Sequence, residues 1–305
     1  MLIGSRRGLT KSIGISNTNN KSMTVSILSD TKVYGGHLIR FSHSSECTKT
    51  TMTAALFLPP NEASTPDSVP LLTYLSGITC TDENVCLKGG AFGALSKHGI
   101  AMLCPDTSPR GAGIEGEDAS WDFGTGAGMY VDATVQPWCN HYNMYSYVTK
   151  EIYDVVFREW PVLCRARMGV FGHSMGGNGA IMVALRNQNL FKSVSAFAPL
   201  SNPCESALCN KILTGYLGPD KTTWAEYDST LLLRELGANG VKYDTILIDQ
   251  GLADDFYADG NLLPENLKEA GGGKVTLRMH DGYNHGYYFI FSFMEEHIDF
   301  HAKRI

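Results

Sequence analysis

A sharp turn from a strand into a helix is predicted by one stretch of the chain, Val170-Phe171-Gly172-His173-Ser174-Met175-Gly176-Gly177. The stretch has the pattern Gly-x-Ser-x-Gly, follows a short apolar run and precedes a helix-compatible run, Ala180 to Leu185. Side chains at positions 172 and 176 would clash with neighbouring backbone, so glycine there leaves the serine exposed at the tip of the turn. The first N–H groups of the helix would then face any oxyanion formed beside the serine. We therefore interpret Ser174 as a candidate nucleophile, with a tight structural turn as the alternative.

The bulk composition limits the classes of protein to consider. The chain has 305 residues, of which 43% are hydrophobic, so it can bury a large core in one α/β domain or in two smaller ones. A formal net charge of −6 argues against nucleic acid as a partner, because phosphate binding needs a concentrated basic surface. No apolar stretch approaches the length of a membrane span. We therefore expect neither nucleic acid nor a membrane as a partner.

Eight cysteines are present, and none lies in a Cys-x-x-Cys pair or at a spacing typical of Cys/His metal ligands. Several have apolar neighbours, as in Ala101-Met102-Leu103-Cys104, and are typical of small core residues. In a large chain without a secretory signal, we expect reduced thiols rather than disulfides. The sequence predicts no metal site.

The N-terminal segment differs in composition from the rest of the chain. Residues 1–24 are rich in Ser, Thr and Asn, include Arg6, Arg7, Lys11 and Lys21, and lack acidic residues. We predict a disordered extension, followed by a single domain over residues 25–305; an organelle transit peptide is the alternative. The location that we predict is cytoplasmic, with targeting through the extension as the alternative.

From residue 69 onwards, short apolar runs alternate with segments of helix length. The apolar runs are 71–75, 99–104, 168–171, 194–198, 245–248 and 275–279, and the helical patterns are 142–159, 262–270 and 287–301. Continuous apolar runs between helices are typical of parallel strands that are buried on both faces. Residues 22–30 and 49–58 predict an antiparallel edge. The fold class is therefore α/β, with a mostly parallel sheet, helices on both faces and an antiparallel N-terminal edge.

The segment 105–144 carries few apolar periods and many glycines. It lacks the lysine that ends a phosphate-binding P-loop, and it does not follow a strand as a dinucleotide fingerprint would. We therefore predict an irregular loop over one end of the sheet, where substrate pockets usually form.

The serine needs a histidine base and a carboxylate that orients this base, because a hydroxyl at its ordinary pKa is a poor nucleophile. In α/β-hydrolase folds the acid and then the histidine follow the serine, each just after a later strand. After the last apolar run, His285 lies in a glycine-flanked loop that opens a helix, which suits a catalytic imidazole. After the run before it come Asp254 and Asp255, which spacing alone does not separate. Asp249 is equally well explained as a cap at the end of the strand.

Four other histidines are weaker candidates. His280 ends the last apolar run, and His173 precedes the nucleophile, where we expect it to pack against the turn. His297 and His301 lie on the predicted terminal helix, and we expect them to face solvent. We therefore assign none of the four to catalysis.

A tetrahedral intermediate needs two backbone N–H donors. One belongs to the residue after the nucleophile, Met175, and the second to a loop after an earlier strand. The candidate loop is Leu75-Ser76-Gly77-Ile78-Thr79-Cys80, because Gly77 allows close backbone approach. This loop brings Cys80 near the pocket, either as a reactive thiol or as part of the wall.

With these residues in view, the chain strongly resembles the S-formylglutathione hydrolase family, also called esterase D, from about residue 56 to the C-terminus. The resemblance depends on long blocks rather than on one motif. The blocks are Leu75-Ser76-Gly77-Ile78-Thr79-Cys80-Thr81, Pro105-Asp106-Thr107-Ser108-Pro109-Arg110-Gly111, Gly116-Glu117-Asp118, Ser120-Trp121-Asp122-Phe123-Gly124-Thr125-Gly126-Ala127-Gly128, Phe171 to Gly177, Asp249-Gln250-Gly251 and Tyr287-Tyr288-Phe289.

The resemblance implies an α/β-hydrolase fold, a Ser-Asp-His triad and hydrolysis of S-formylglutathione to glutathione and formate in formaldehyde detoxification. It implies that the nucleophile is Ser174 and the base His285. The family's Asp-x-Phe pattern selects Asp254 over Asp255, and the second oxyanion donor becomes the N–H of Ile78. No metal or cofactor is needed for this chemistry.

Two departures from the family pattern concern the same region. Asn178 stands where the family usually has histidine, and Asn284-His285-Gly286 replaces its usual Asp-His-Ser. Neither departure removes a triad member, but the second changes the loop that carries the histidine.

The implied substrate, a glutathione thioester, suggests contacts beyond the triad. A small formyl group predicts a tight acyl pocket, with Trp121 as a candidate for its wall. Lys88 and Arg110 are candidates for binding glutathione carboxylates, and the alternative is that both simply face solvent. A thiol leaving group with a pKa of about 8.5 needs little protonation, which suits a thioesterase better than an amidase.

Two other functions are compatible with the sequence. One is a broad carboxylesterase or acyltransferase with the same triad, and the other is a non-catalytic binding protein that retains the fold. The complete set of Ser174, Asp254 and His285 argues against the second. The sequence leaves open whether the chain forms a homodimer.

Overall fold

The computed structural model describes residues 24–60 and 65–305. The strands in these residues are β1 Val25–Val33, β2 Gly36–Ser44, β3 Thr51–Leu58, β4 Val69–Leu75, β5 Ala101–Pro105, β6 Leu163–His173, β7 Ser193–Phe197, β8 Ile246–Gly251 and β9 Val275–His280. They form one sheet in the order β1-β2-β3-β5-β4-β6-β7-β8-β9. The pairs β1–β2, β2–β3 and β3–β5 are antiparallel, and all pairs from β5 to β9 are parallel. The predicted sheet and its antiparallel N-terminal edge are confirmed.

Helices cover both faces of this sheet. They are α1 Glu83–Lys88, α2 Phe92–His98, α3 Met144–Ser146, α4 Ile152–Glu159, α5 Met175–Arg186, α6 Ala207–Leu217, α7 Ser229–Gly240, α8 Asp255–Ala258, α9 Pro264–Gly271 and α10 Tyr287–Ala302. Helices α1, α2 and α10 pack together on one face, and α5, α7 and α9 pack in succession on the other. Within the described residues, no helix has the length and apolar character needed to cross a bilayer. The predicted N-terminal extension falls outside the described residues, apart from Thr24.

The apolar runs of the sequence coincide with strands of the parallel part of the sheet. Strands β4, β5 and β7 are buried along their whole length, because helices on both faces remove the usual alternation of exposed and buried residues. Strand β6 begins five residues before the predicted run and reaches the serine turn. The three predicted helical segments correspond to α3 with α4, to α9 and to α10.

The sequence does not predict β2. This strand follows β1 through a two-residue turn at Tyr34 and Gly35, whose φ angles of 48° and 80° are those of a tight hairpin. Polar residues such as His37 and Arg40 interrupt its apolar pattern, so the strand is specified by the turn and by pairing with β3.

Residues 106–143 form the predicted irregular loop, apart from a short 3₁₀ helix at Trp138–Asn140. The buried carboxylate of Glu117 organises it by accepting two backbone N–H groups and the Tyr142 hydroxyl (3.2 Å). Its glycine-rich part contacts the turn after β4, where Gly126 O accepts the N–H of Thr79 at 2.9 Å. The loop therefore closes over the carboxyl ends of the central strands.

Candidate active site

Ser174 lies at the turn between β6 and α5. Its backbone has φ 57° and ψ −121°, outside the regions that residues with a side chain ordinarily adopt. Its N–H donates to Phe197 O (3.0 Å), and its carbonyl oxygen accepts the N–H of Leu200 (3.1 Å). Hydrogen bonds to β7 and the segment after it therefore hold the strained conformation in place.

Two glycines make this turn possible. A Cβ on Gly172 would lie 2.2 Å from Gly176 O, and a Cβ on Gly176 would lie 2.0 Å from Leu75 O. Both separations are far below ordinary van der Waals contact, so any side chain would force the backbone apart. The clash predicted for these two positions is confirmed, whereas the predicted exposure of the serine is wrong, because Ser174 is buried at the wall of a cavity.

Asp254 and His285 are in direct contact. The Asp254 side chain is fully buried at the start of α8, where its Oδ1 accepts the N–H groups of Phe256 (2.9 Å) and Tyr257 (3.3 Å). Its Oδ2 accepts Nδ1–H of His285 at 2.6 Å and Nε2–H of Gln250 at 3.2 Å. The neighbouring Asp255, the alternative that spacing left open, is exposed in the first turn of α8.

Ser174 and His285 line the same cavity, which has a volume of about 240 Å³. The structure contains no hydrogen bond between the Ser174 hydroxyl and the His285 ring, as far as the described residues go. The imidazole instead packs against the rings of His173 and Phe256, with centroid distances of 4.4 and 4.8 Å. Its orientation is thus fixed by the hydrogen bond to Asp254 and by the contacts with these two rings.

His173 supports this arrangement as a neutral residue. Burial and the adjacent His285 lower the pKa of His173 well below 6.5, and neither ring nitrogen has a hydrogen-bond partner among the described residues. Its role is therefore to pack against the turn, as the sequence suggested.

The loop after β4 lies directly against the serine. A Cβ on Gly77 would lie 3.2 Å from the Cβ of Ser174, so this loop approaches at backbone distance. The N–H groups of Thr79 and Cys80 donate to Gly126 O (2.9 Å) and Gly77 O (3.2 Å), whereas the N–H of Ile78 has no acceptor in the described part of the chain. Ile78 lines the cavity, and Met175 is the first residue of α5, where N–H groups have no intrahelical acceptor.

Two of the four candidate substrate contacts line the cavity, Cys80 and Trp121. Cys80 is buried, its Sγ lies 3.8 Å from the Tyr287 hydroxyl, and burial raises the pKa of its thiol. This argues for a wall role rather than a thiolate nucleophile. Trp121 is half exposed.

The other two candidates, Arg110 and Lys88, do not line this cavity. The guanidinium of Arg110 binds the Asp106 carboxylate through Nε (2.7 Å) and Nη2 (2.9 Å) and also donates to Cys80 O (3.1 Å). Arg110 therefore stabilises the cavity wall at Cys80 without lining the cavity itself. Lys88 lines an adjoining cavity together with Tyr287.

The structure adds residues that the sequence argument did not single out. Tyr287, Phe256 and Leu208 line the cavity, and Gln250 donates to Asp254. Gln250 and Tyr287 lie in sequence blocks already noted, whereas Leu208 comes from α6 and has no local signal. Across residues 24–60 and 65–305, no three His, Cys, Asp or Glu side chains are grouped to hold a metal ion.

The two departures from the family pattern have local explanations. The Asn178 amide donates to Tyr227 O (2.9 Å) and accepts the Ser229 hydroxyl (2.7 Å), so it joins α5 to the start of α7. Asn284 Oδ1 accepts the N–H of Gly286 at 2.9 Å and thereby closes the loop that carries His285.

The expectation that His297 and His301 face solvent is wrong. Both are fully buried, because α10 turns this side of the helix towards the sheet. His301 contacts Ser193 (2.6 Å) and Ser195 (2.8 Å) on β7, and His297 contacts Ser195 (2.8 Å) and Asp249 (3.2 Å). These polar residues form a buried network that fastens α10 to β7 and β8.

Asp249 belongs to this network rather than to the cavity. It is fully buried in β8, and its carboxylate is paired with Arg278 (2.5 Å). Burial opposes its ionisation, but hydrogen bonds from His297 and Arg278 hold its pKa below the usual value. The carboxylate that contacts His285 is the one on Asp254.

Comparison with known proteins shows which family the chain belongs to. The sequence profile of the family described as "Putative esterase" matches residues 45–300, and the chain belongs to this esterase family. Within it, the chain belongs to the S-formylglutathione hydrolase family. It is 49% identical to "S-formylglutathione hydrolase" of Bos taurus and 45% identical to that of Arabidopsis thaliana, in each case over 92% of this chain and at least 98% of the relative. A solved S-formylglutathione hydrolase from Agrobacterium tumefaciens superposes with a TM-score of 0.85 at 43% identity, over 91% of this chain and 99% of that one.

Proposed function

We propose that this chain hydrolyses S-formylglutathione to glutathione and formate, with Ser174 as nucleophile, His285 as base and Asp254 as the residue that orients the base. The observation that carries the proposal is the 2.6 Å hydrogen bond between Asp254 and His285, beside a cavity that Ser174 also lines. The names of the relatives support the substrate, because identity of 45–49% extends over nearly their full length.

The carboxylate determines which nitrogen of the histidine acts as the base. An ionised carboxylate only accepts hydrogen bonds, so Asp254 holds the imidazole proton on Nδ1 and leaves the lone pair on Nε2. The bond between Ser174 and His285 then forms when substrate binds, since catalytic hydrogen bonds often tighten only in the complex.

In the first half of the reaction, Ser174 Oγ bonds to the formyl carbon and its proton passes to His285 Nε2. The N–H groups of Ile78 and Met175 stabilise the oxyanion, assisted by the positive end of α5. The carbon–sulfur bond breaks, and glutathione leaves as a thiolate that takes up the proton.

In the second half, a water molecule attacks the formyl ester and gives a proton to His285. The bond between the formyl carbon and Ser174 Oγ breaks, and the proton on His285 returns to the serine. The product leaves as formic acid and releases its remaining proton to solvent to give formate. A cavity of only about 240 Å³, bounded by Trp121 and Phe256, suits a small acyl group.

A substrate panel on the purified full chain tests the proposed reaction. We expect S-formylglutathione to have a higher kcat/KM than S-acetylglutathione, 4-nitrophenyl acetate or 4-nitrophenyl octanoate. A preference for the octanoate would instead favour the alternative, a broad carboxylesterase or acyltransferase.

Two serine variants test the site. We expect Ser174→Ala to lose about 10³-fold or more in kcat, whereas Ser195→Ala, which alters the buried network, keeps kcat within about threefold. The reverse pattern would show that the nucleophile is assigned wrongly.

The proposal extends to a cytoplasmic role in glutathione-dependent formaldehyde detoxification. Deletion of the gene should then lower formaldehyde tolerance, and unchanged tolerance would count against this role. A homodimer remains a prediction, which sedimentation of the full chain would test.

A further inference from the structure

A second cavity of about 670 Å³ adjoins the one that contains Ser174 and His285. Tyr287 lines both cavities, and Asn284 and Gly286, on either side of His285, line the second. Its remaining lining residues are Lys88, Tyr288 and Phe291. The two cavities therefore share Tyr287 as a wall and lie beside the loop that carries the histidine.

The volumes indicate how a glutathione thioester would be divided between the cavities. Small-molecule pockets generally have volumes of roughly 300–1,000 Å³, a range that the second cavity meets and the first, at about 240 Å³, does not. The first cavity therefore suits the reacting acyl group, and the tripeptide must extend into a neighbouring space.

The charges favour the second cavity over the part of the site that carries Trp121. There, the ammonium of Lys211 is already paired with Asp122, the residue after Trp121, at 2.5 Å. Lys88 forms no ion pair with any described residue. Its ammonium lies 5.7 Å from the centroid of the Tyr287 ring, which keeps it against the cavity wall.

The acidic groups nearest to Lys88 along its own helix do not neutralise it. Asp82 and Glu83 both pair with Arg40, at 2.6 and 3.1 Å. Asn284, on the other side of the cavity, is uncharged and uses its Oδ1 for the Gly286 N–H (2.9 Å), so its NH₂ group is available as a donor. A carboxylate and a peptide carbonyl are the groups that such a surface binds.

We propose that the second cavity holds the glutathionyl part of the substrate and that Lys88 pairs with one of its carboxylates. This inference rests on the proposed function and names the residues that select the carrier. Lys88 is a specificity-determining residue, because it contacts the carrier rather than the formyl carbon.

Kinetics of two substrates tests this role. We expect Lys88→Met to raise KM for S-formylglutathione about threefold to tenfold with little change in kcat, and Lys88→Glu to raise it further. The effect on 4-nitrophenyl acetate, which lacks the carrier, should be several-fold smaller. Lys192→Glu is the matched control, since this exposed lysine precedes β7 at the other end of the sheet and should match the unaltered chain.

Binding of S-methylglutathione, measured by calorimetry, separates the two proposals. If the chain fails to hydrolyse S-formylglutathione but binds this analogue in a Lys88-dependent way, the proposed function fails and the subsite stands. If hydrolysis is normal and Lys88→Glu changes neither KM nor analogue binding, the subsite is wrong. Equal losses on both substrates would also overturn it, because they would place Lys88 in general support of the fold.

Discussion

Replacement of Asp254 by asparagine changes the carboxylate by a single atom and should remove nearly all activity. Oδ1 of Asp254 accepts two backbone N–H groups, at 2.9 and 3.3 Å, so the amide oxygen of the variant must stay there. The NH₂ group then occupies the Oδ2 position, 2.6 Å from His285 Nδ1 in the unaltered chain. An NH₂ group cannot accept the imidazole proton, which must therefore move to Nε2, where it blocks proton transfer from Ser174.

The expected loss in kcat from Asp254→Asn is about 10⁴-fold, equivalent to about 5.4 kcal/mol of transition-state stabilisation. The fold should tolerate the change. Gln250 Nε2 donates to the altered position at 3.2 Å and to Gly251 O at 2.9 Å, and Gln250 Oε1 lacks a partner within the described residues. Rotation of this amide lets Oε1 accept the new NH₂ group, at the loss of the bond to Gly251 O. We expect a loss in the free energy of unfolding of only about 1–2 kcal/mol.

The assay is steady-state hydrolysis of S-formylglutathione by the purified variant, with a thermal unfolding curve to establish that it is folded. Asp255→Asn is the matched control, because it makes the same chemical change one residue away on an exposed side chain. Its kcat should stay within about twofold of the unaltered chain. A folded Asp254→Asn protein that retains more than about a tenth of the original kcat would refute this reasoning.

Three further predictions concern residues that support the structure around the site. Burial lowers the pKa of His301 in the folded chain well below 6.5. The free energy of unfolding should therefore be highest above pH 6.5, where the imidazole is neutral in both states. It should fall by about 1.4 kcal/mol per pH unit as the pH drops from 6.5 towards the folded-state pKa. Urea midpoints at pH 7.5, 6.5 and 5.5 should show this decline. His301→Gln should make it shallower without removing it, because burial also lowers the pKa of His173 and of His297, and a midpoint independent of pH would contradict the argument. Gly176→Ala should yield no soluble folded protein, because its Cβ would lie 2.0 Å from Leu75 O. Gly273→Ala is the control and should fold, because a Cβ there meets nothing within 4 Å. Equal yields of the two variants would count against the argument for the turn. Asn178→Ala should lower the free energy of unfolding by about 2–4 kcal/mol, because it leaves the Tyr227 carbonyl and Ser229 without their buried partner; an unchanged urea midpoint would disprove this.

The sequence predicts the sheet and the serine turn because both have local causes. Parallel strands covered on both faces are continuous apolar runs, and Gly172 and Gly176 are required by contacts within the turn and with the neighbouring strand. Strand β2 is missed because a two-residue turn and its pairing partners specify it. A turn of this kind is a weaker signal than an apolar run.

The buried histidines of α10 show what single-sequence reasoning leaves out. Residues 290, 294, 297, 298 and 301 share one side of the helix, so the pattern that buries Ile290 also buries His297 and His301. The serines that satisfy the two imidazoles lie about 100 residues earlier, on β7. Without these partners in view, solvent exposure is the natural expectation for a polar side chain.

That buried network also contains a serine, a histidine and an aspartate, so it has to be compared with the Ser174 set as a candidate for catalysis. Ser195 Oγ contacts His297 Nδ1 at 2.8 Å, and His297 Nε2 contacts Asp249 at 3.2 Å, so its connectivity resembles that of a catalytic triad. The Ser174 set lacks the serine–histidine bond in the described residues. Judged by hydrogen bonds alone, the buried set would be the better candidate.

Access and electrostatics reverse this ranking. The three buried side chains have no exposed surface, and Arg278 already compensates the charge of Asp249 at 2.5 Å. An ester carbonyl could reach them only if α10 left the sheet. Ser174, in contrast, borders a cavity, adopts a strained backbone and precedes the N-terminus of α5, where an oxyanion is stabilised. A serine–histidine–aspartate chain is therefore evidence for catalysis only where a substrate can approach the serine and its developing charge meets free N–H groups.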